Sequence, residues 1–100
     1  MVQRPKKKQI QPLSGPEKAF GQALREVRRE RELSQEKLAL EAGFDRTYVS
    51  LVERGVKSPT VRAVVRLAEI LKVLPSDLVL CMETHLGKGR KQEKKAGASV

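Results

Sequence analysis

An all-α fold of five short helices is expected for this chain, on three observations. Apolar residues recur at i, i+3 and i+4 through the middle of the chain, and helix caps and helix-ending glycines punctuate it at short intervals. No stretch shows the strict alternation of a half-buried strand. One hundred residues, 39% hydrophobic and 33% charged, allow one small domain with a single modest core. Aromatics make up only 3% and Trp is absent, so that core has to be packed from Leu, Val, Ala and Ile.

The first helix, about 16–31, opens with Pro16 and Glu17, which suit a first turn, and sets Phe20, Leu24 and Val27 on one stripe. The second, about 34–42, is capped by Ser34, with Lys37 where a complete capping box would have Glu, and ends at Gly43. Asp45 caps the third, about 45–54, which turns Val49 and Val52 inward and stops at Gly55. The fourth, about 60–72, starts from Thr60 and aligns Val61, Val64, Leu67, Ala68 and Leu71. The fifth, about 75–82, begins at Pro75 and carries Leu78, Val79 and Met82.

The domain organisation expected is a flexible basic arm over 1–15, a helix-turn-helix domain over 16–82 and a flexible basic tail over 83–100. The net charge of +9 lies mostly in these arms. Arg4, Lys6, Lys7 and Lys8 have no acid beside them, and Lys88, Arg90, Lys91, Lys94 and Lys95 face only Glu83 and Glu93. Such a balance suits a polyanionic partner without placing its binding face.

Several classes of function are excluded or disfavoured. Cys81 is the only cysteine and His85 the only histidine, so neither an intrachain disulfide nor a site of three or four Cys/His zinc ligands can form within one chain. Cys81 reads as a small apolar packing residue near a helix end. No Gly-rich phosphate loop, Cys/His pair or metal-ligand spacing is legible, so no enzyme, cofactor, metal or small-molecule ligand is expected. No apolar run approaches a membrane span, and the expected location is the cytoplasm.

The stretch GFDRTYVSLVERG, residues 43–55, carries the functional expectation. Only Gly43 and Phe44 join the second and third helices, which forces a tight angle and leaves the outer side of the third helix free. Small Ala39 lets the two helices approach, and Leu38, Phe44, Val49 and Val52 fix the angle between them. A helix presented in this way fits a major groove about 12 Å wide. Arg46 and Thr47 stand at its N-terminal end, with Ser50 one turn further on, where base edges come within reach. Arg46 can pair with guanine O6 and N7, Thr47 offers a hydroxyl and a methyl, and Leu51 can approach a thymine methyl. Tyr48 is either a phosphate or sugar contact or a partly buried packing residue. Arg54 and Lys57, in the turn after the third helix, are placed to clamp phosphates.

The segments LSQEKLA, DRTYVS and VERG, within the span LREVRRERELSQEKLALEAGFDRTYVSLVERGVKSPTVRAVVRLAEILKV, resemble the lambda-repressor-like family of Cro and xenobiotic-response-element type helix-turn-helix proteins. DRTYVS looks most like the controller proteins of restriction-modification systems and regulators of mobile elements. The resemblance implies a sequence-specific regulator of transcription that binds double-stranded DNA as a homodimer on a two-fold-related operator. It implies that Gln35, one position after the cap of the second helix, reaches a backbone phosphate, and that Arg28 pairs with Glu53 as a structural tie. The dimer surface it suggests, together with apolar Val79 and Met82, is the fifth helix and its flank. Glu32 departs from the glycine that the family often has before Leu-Ser-Gln, which puts the bend between the first two helices in question. The rival expectation is a protein-interaction adaptor or antitoxin-like component using the same fold, with the basic arms docking it.

Overall fold

The computed structural model describes residues 15–87. The five helices are α1 (Pro16–Glu30), α2 (Gln35–Ala42), α3 (Arg46–Glu53), α4 (Val61–Leu71) and α5 (Pro75–Gly87), with no strand among the described residues. None of them is long and apolar enough to cross a membrane. The expected basic arm over 1–15 lies outside the described residues except for Gly15, as does the tail beyond 87.

The fifth helix corrects the expected boundary: it does not stop at Met82 but continues through Glu83, Thr84, His85 and Leu86 to Gly87. The extension is held because α5 lies along α1, where His85 and Leu86 are half-buried. Sequence alone assigns this turn to the tail because its polar residues and the following Gly-Lys-Gly show no apolar stripe.

Four of the five helices end in the same way. A residue one or two positions past the helix takes a left-handed conformation, and the next amide reaches back to a carbonyl five residues earlier. Leu33 N–H donates to Arg28 O at 3.1 Å, Phe44 to Ala39 O at 2.8 Å, Val56 to Leu51 O at 2.9 Å and Val73 to Ala68 O at 3.0 Å. The pivots are Glu32, Gly43, Gly55 and Lys72, with φ of 59°, 80°, 75° and 62°. Two are glycines and visible in sequence, and two carry side chains. Glu32 therefore makes the bend between α1 and α2 in a conformation that a Cβ disfavours.

Lys72→Gly removes that strain, about 1–2 kcal/mol, against an added unfolded-state entropy of about 0.5–1 kcal/mol. A net gain of about 0.5–1 kcal/mol is expected, read as a rise of about 2–8 °C in melting temperature. Glu32→Gly should behave alike, and a fall in melting temperature for both would contradict the assigned backbone.

Ser34 and Thr60 cap as expected: their hydroxyls accept from Lys37 N–H and Ala63 N–H, each at 3.0 Å. Asp45 occupies the N-cap position of α3 but its side chain makes no cap hydrogen bond. The amide it would serve, Tyr48 N–H, is taken by Asp45's own backbone carbonyl at 3.0 Å.

The core is one aliphatic layer at the junction of all five helices. Leu24, Leu38, Val49, Val52, Leu67, Leu71 and Leu78 are fully buried, with Phe20, Val27, Ala39, Ala42 and Ala68 around them. Each fully buried Leu or Val contributes about 1.5–3 kcal/mol, and their distribution over every helix makes the domain one cooperative unit. Two close approaches set how α1 meets the end of α3. A Cβ on Gly21 would lie 2.5 Å from the carbonyl oxygens of Val52 and Glu53, and one on Gly55 would lie 2.9 Å from Lys18 Cα. Backbone packs on backbone there, so α3 is held against α1 without an intervening side chain.

Candidate nucleic-acid interface

α3 is anchored from behind and open in front. Val49 and Val52 are fully buried, whereas Arg46 and Thr47 in its first turn are exposed. Ser50 and Leu51 are half-buried on the following turn, so they stand further back than the first-turn pair. Arg54 and Lys57 are exposed at the end of α3 and in the loop beyond it. Six of the expected DNA contacts thus fall on one helix and the turn after it, with the most reachable pair at its N-terminal end.

Tyr48 packs in part against the core. It is half-buried against the core, and its ring meets Phe44 at a centroid distance of 4.9 Å and an interplanar angle of 52°, a tilted pair. Burial pushes its hydroxyl above the usual tyrosine range, so the phenol stays neutral. Phe44 and Tyr48 form one wall of a groove of about 460 Å³, with Ala42, Thr60, Arg62, Ala63 and Arg66 around it. Arg62, at the start of α4, is exposed beside Tyr48; nothing in the periodicity distinguishes it as a cation close to the α3 surface.

Gln35 is half-buried at the start of α2, and its side-chain amide donates to Glu53 Oε1 at 2.9 Å. Glu53 also accepts from Arg28, Nε to Oε2 at 2.6 Å and Nη2 to Oε1 at 3.0 Å, while Arg28 Nη1 donates to Leu33 O at 2.8 Å. Arg28 and Glu53 are both buried. The expected Arg28–Glu53 pair is therefore present as a two-pronged ion pair. It is the centre of a four-residue hub tying α1, the α1–α2 bend, the start of α2 and the end of α3. The physical reason for Gln35's turn inward is the second lone pair on Glu53 Oε1, which in a buried site requires a donor.

Arg66 was not singled out by sequence. Its Nε donates to Ala42 O at 3.2 Å, and Nη1 pairs with exposed Glu69 at 3.0 Å. A guanidinium at the carboxyl end of α2 satisfies a free carbonyl and opposes the negative end of the helix dipole. Ala39 and Gly43 are placed as expected: Ala39 is buried in the α2–α3 angle, and Gly43 makes the turn in the left-handed region.

The helix-turn-helix family model matches residues 24–78, α1 to the start of α5, with the hub and the α2–α3 turn inside it. The chain belongs to the helix-turn-helix family. Among relatives of this member, the control protein C.BamHI of Bacillus amyloliquefaciens is 39% identical over 61 residues, covering 60% of this chain and 75% of that protein. The crystal structure of the restriction-modification controller protein C.AhdI from Aeromonas hydrophila is similar with a TM-score of 0.60 and 44% identity, over 61% of this chain and 92% of that one. SinR, a master regulator for biofilm formation solved in complex with DNA, is similar at 28% identity and a TM-score of 0.58, over 60% of this chain and 97% of that one. These relatives are regulators and not enzymes, and the family fold is the all-α one expected.

Proposed function

We propose that this chain, a DNA-binding transcriptional regulator by family, reads double-stranded DNA with α3 in the major groove. The observation that carries the reading is the exposure of Arg46 and Thr47 on the first turn of a helix whose back is fully buried. Arg46 reads a guanine edge, Thr47 a neighbouring base, and Ser50 and Leu51 approach the next step. Arg54, Lys57 and Arg62 contact phosphates, and Tyr48 supports them by fixing the groove beside α3. Gln35, engaged with Glu53, acts by holding the start of α2 to the end of α3. The basic arms add affinity that is independent of sequence.

One α3 covers only a few base pairs, so a homodimer on half-sites about one helical turn apart fits the reading. Val79 and Leu80 on α5, with Leu74 just before it, are exposed, and Met82 is half-buried beside Val79, which supports α5 and its flank as the dimer surface. The same chain with Val79→Glu and Leu80→Glu is expected to sediment as a monomer and to lose most of its affinity for a two-fold site.

The deciding experiment is selection of bound sites from random DNA by the intact protein, repeated with Arg46→Ala and Thr47→Ala together. A palindromic consensus should emerge, and the double variant should lose about 1–3 kcal/mol of discrimination per contacted base pair while keeping its circular dichroism spectrum. No consensus, or one unchanged in the variant, would turn the reading toward a protein-binding adaptor. Arg54→Ala or Lys57→Ala should instead weaken binding to all sequences and flatten its salt dependence by about one unit each.

A further inference from the structure

The side chains of Glu26, Cys81 and His85 converge where α5 packs along α1, with one ligand atom of each within 4.8 Å of the others. Cys81 and His85 lie four residues apart on α5 and so share one face of that helix. With α5 expected to end at residue 82, His85 falls in the tail and the Cys81–His85 spacing is not legible as a pair on one helix.

The histidine side chain is 9% exposed, and its Nε2 is a buried nitrogen without a hydrogen-bond partner among the described residues. It stands 3.0 Å from Glu26 Oε2 without forming a hydrogen bond to it. Cys81 Sγ donates to the other oxygen, Glu26 Oε1, at 3.3 Å. A buried ring nitrogen left unmatched costs about 1–3 kcal/mol, and an ion between the three groups would satisfy it.

We infer that Glu26, Cys81 and His85 form an intrachain binding site for a zinc-like divalent transition-metal ion. Tetrahedral zinc with bonds of about 2.0–2.3 Å places its ligand atoms roughly 3.3–3.7 Å apart. His85 and Cys81 lie 3.0 and 3.3 Å from the two different oxygens of Glu26, and one ligand atom of each residue lies within 4.8 Å of the others, so shifts on the order of 1 Å reach that geometry. Thiolate with imidazole selects zinc, cobalt or nickel over magnesium or calcium, which take oxygen ligands. Glu26 is half-exposed, its side chain 54% accessible, so the fourth position opens to water. On binding, the Cys81 thiol loses its proton to solvent and a sulfur–metal bond replaces its hydrogen bond to Glu26. The ion then clamps the last turns of α5 onto α1, and the folded state gains stability in proportion to its saturation.

Because Cys81 and His85 are the only cysteine and histidine of the chain, spectroscopic signals of either ligand are assigned without ambiguity. Titration of the reduced full-length protein with cobalt(II) alone should give a thiolate-to-cobalt charge-transfer band saturating at one ion per chain. Zinc should displace cobalt and raise the melting temperature. Cys81→Ser should abolish the band, and Glu26→Gln and His85→Gln should each lose at least about tenfold in zinc affinity, the low end of what even an outer-shell partner is worth. Glu26→Gln, at a half-exposed position, keeps the test valid if His85→Gln impairs folding. The inference is overturned by absence of the band in the folded protein, by its survival in Cys81→Ser, or by zinc affinity indifferent to Glu26→Gln. Saturation at half an ion per chain would equally overturn it, since the ion would then bridge two copies.

Discussion

Glu53→Ala is expected to destabilise the domain by about 3–5 kcal/mol, a large part of the stability of a domain this small. The substitution strips Arg28 of both carboxylate contacts and Gln35 of its acceptor, leaving a buried guanidinium with only Leu33 O as partner. Desolvation of that uncompensated charge is the dominant cost, larger than any packing lost with the side chain. Urea unfolding followed by circular dichroism measures it. Replacing both partners by apolar residues of similar volume, as in Arg28→Met with Glu53→Leu, should recover most of the loss, because a buried ion pair contributes orientation more than net stability. If Glu53→Ala unfolds within about 1 kcal/mol of the parent, the buried charge is not isolated as described. DNA affinity should fall with stability here, since the hub fixes the end of α3 against α1 and α2.

Gly55→Ala is expected to cost about 2–5 kcal/mol. A left-handed φ of 75° accounts for about 1–2 kcal/mol of strain with a Cβ present. The remainder is steric: the new methyl would stand 2.9 Å from Lys18 Cα, a backbone atom that cannot swing aside, and forced overpacking costs about 1–3 kcal/mol. Gly43→Ala separates the two terms. Gly43 has a similar φ of 80°, but nothing lies within 4 Å of where its Cβ would be, so only the strain should be felt. Chemical denaturation of the two variants should therefore differ by the steric term, and equal losses would remove the close approach of α1 to the end of α3.

Much of the frame is readable in the linear chain. Ser34 and Thr60 mark helix starts, Gly43 and Gly55 mark helix ends, and Val49 with Val52 identify the buried side of α3. That buried side leaves Arg46 and Thr47 outward by helical geometry alone. The residues that escaped reading are those whose partner lies far along the chain. Gly21 sits in the middle of α1, where a glycine usually counts as a weakness; its reason is the pair of carbonyls from α3 that approach within 2.5 Å of a would-be Cβ. Arg66 resembles any exposed helix cation until Ala42 O is found beside it. Glu32 and Lys72 look like ordinary charged residues, yet each makes the left-handed turn that glycine makes elsewhere in the chain.

Local signals span at most about one helical turn, so the sequence by itself determined the number of helices, their caps, the tight α2–α3 turn and the face on which the first turn of α3 is exposed. Tertiary structure alone decided which polar groups are consumed internally and which remain for a ligand. Gln35 turned to Glu53 because a buried carboxylate must fill its lone pairs, whereas Arg46 has no such partner among the described residues and is exposed. The same packing of α5 along α1 extended that helix to Gly87 and drew Glu26, Cys81 and His85 together across more than fifty residues of chain.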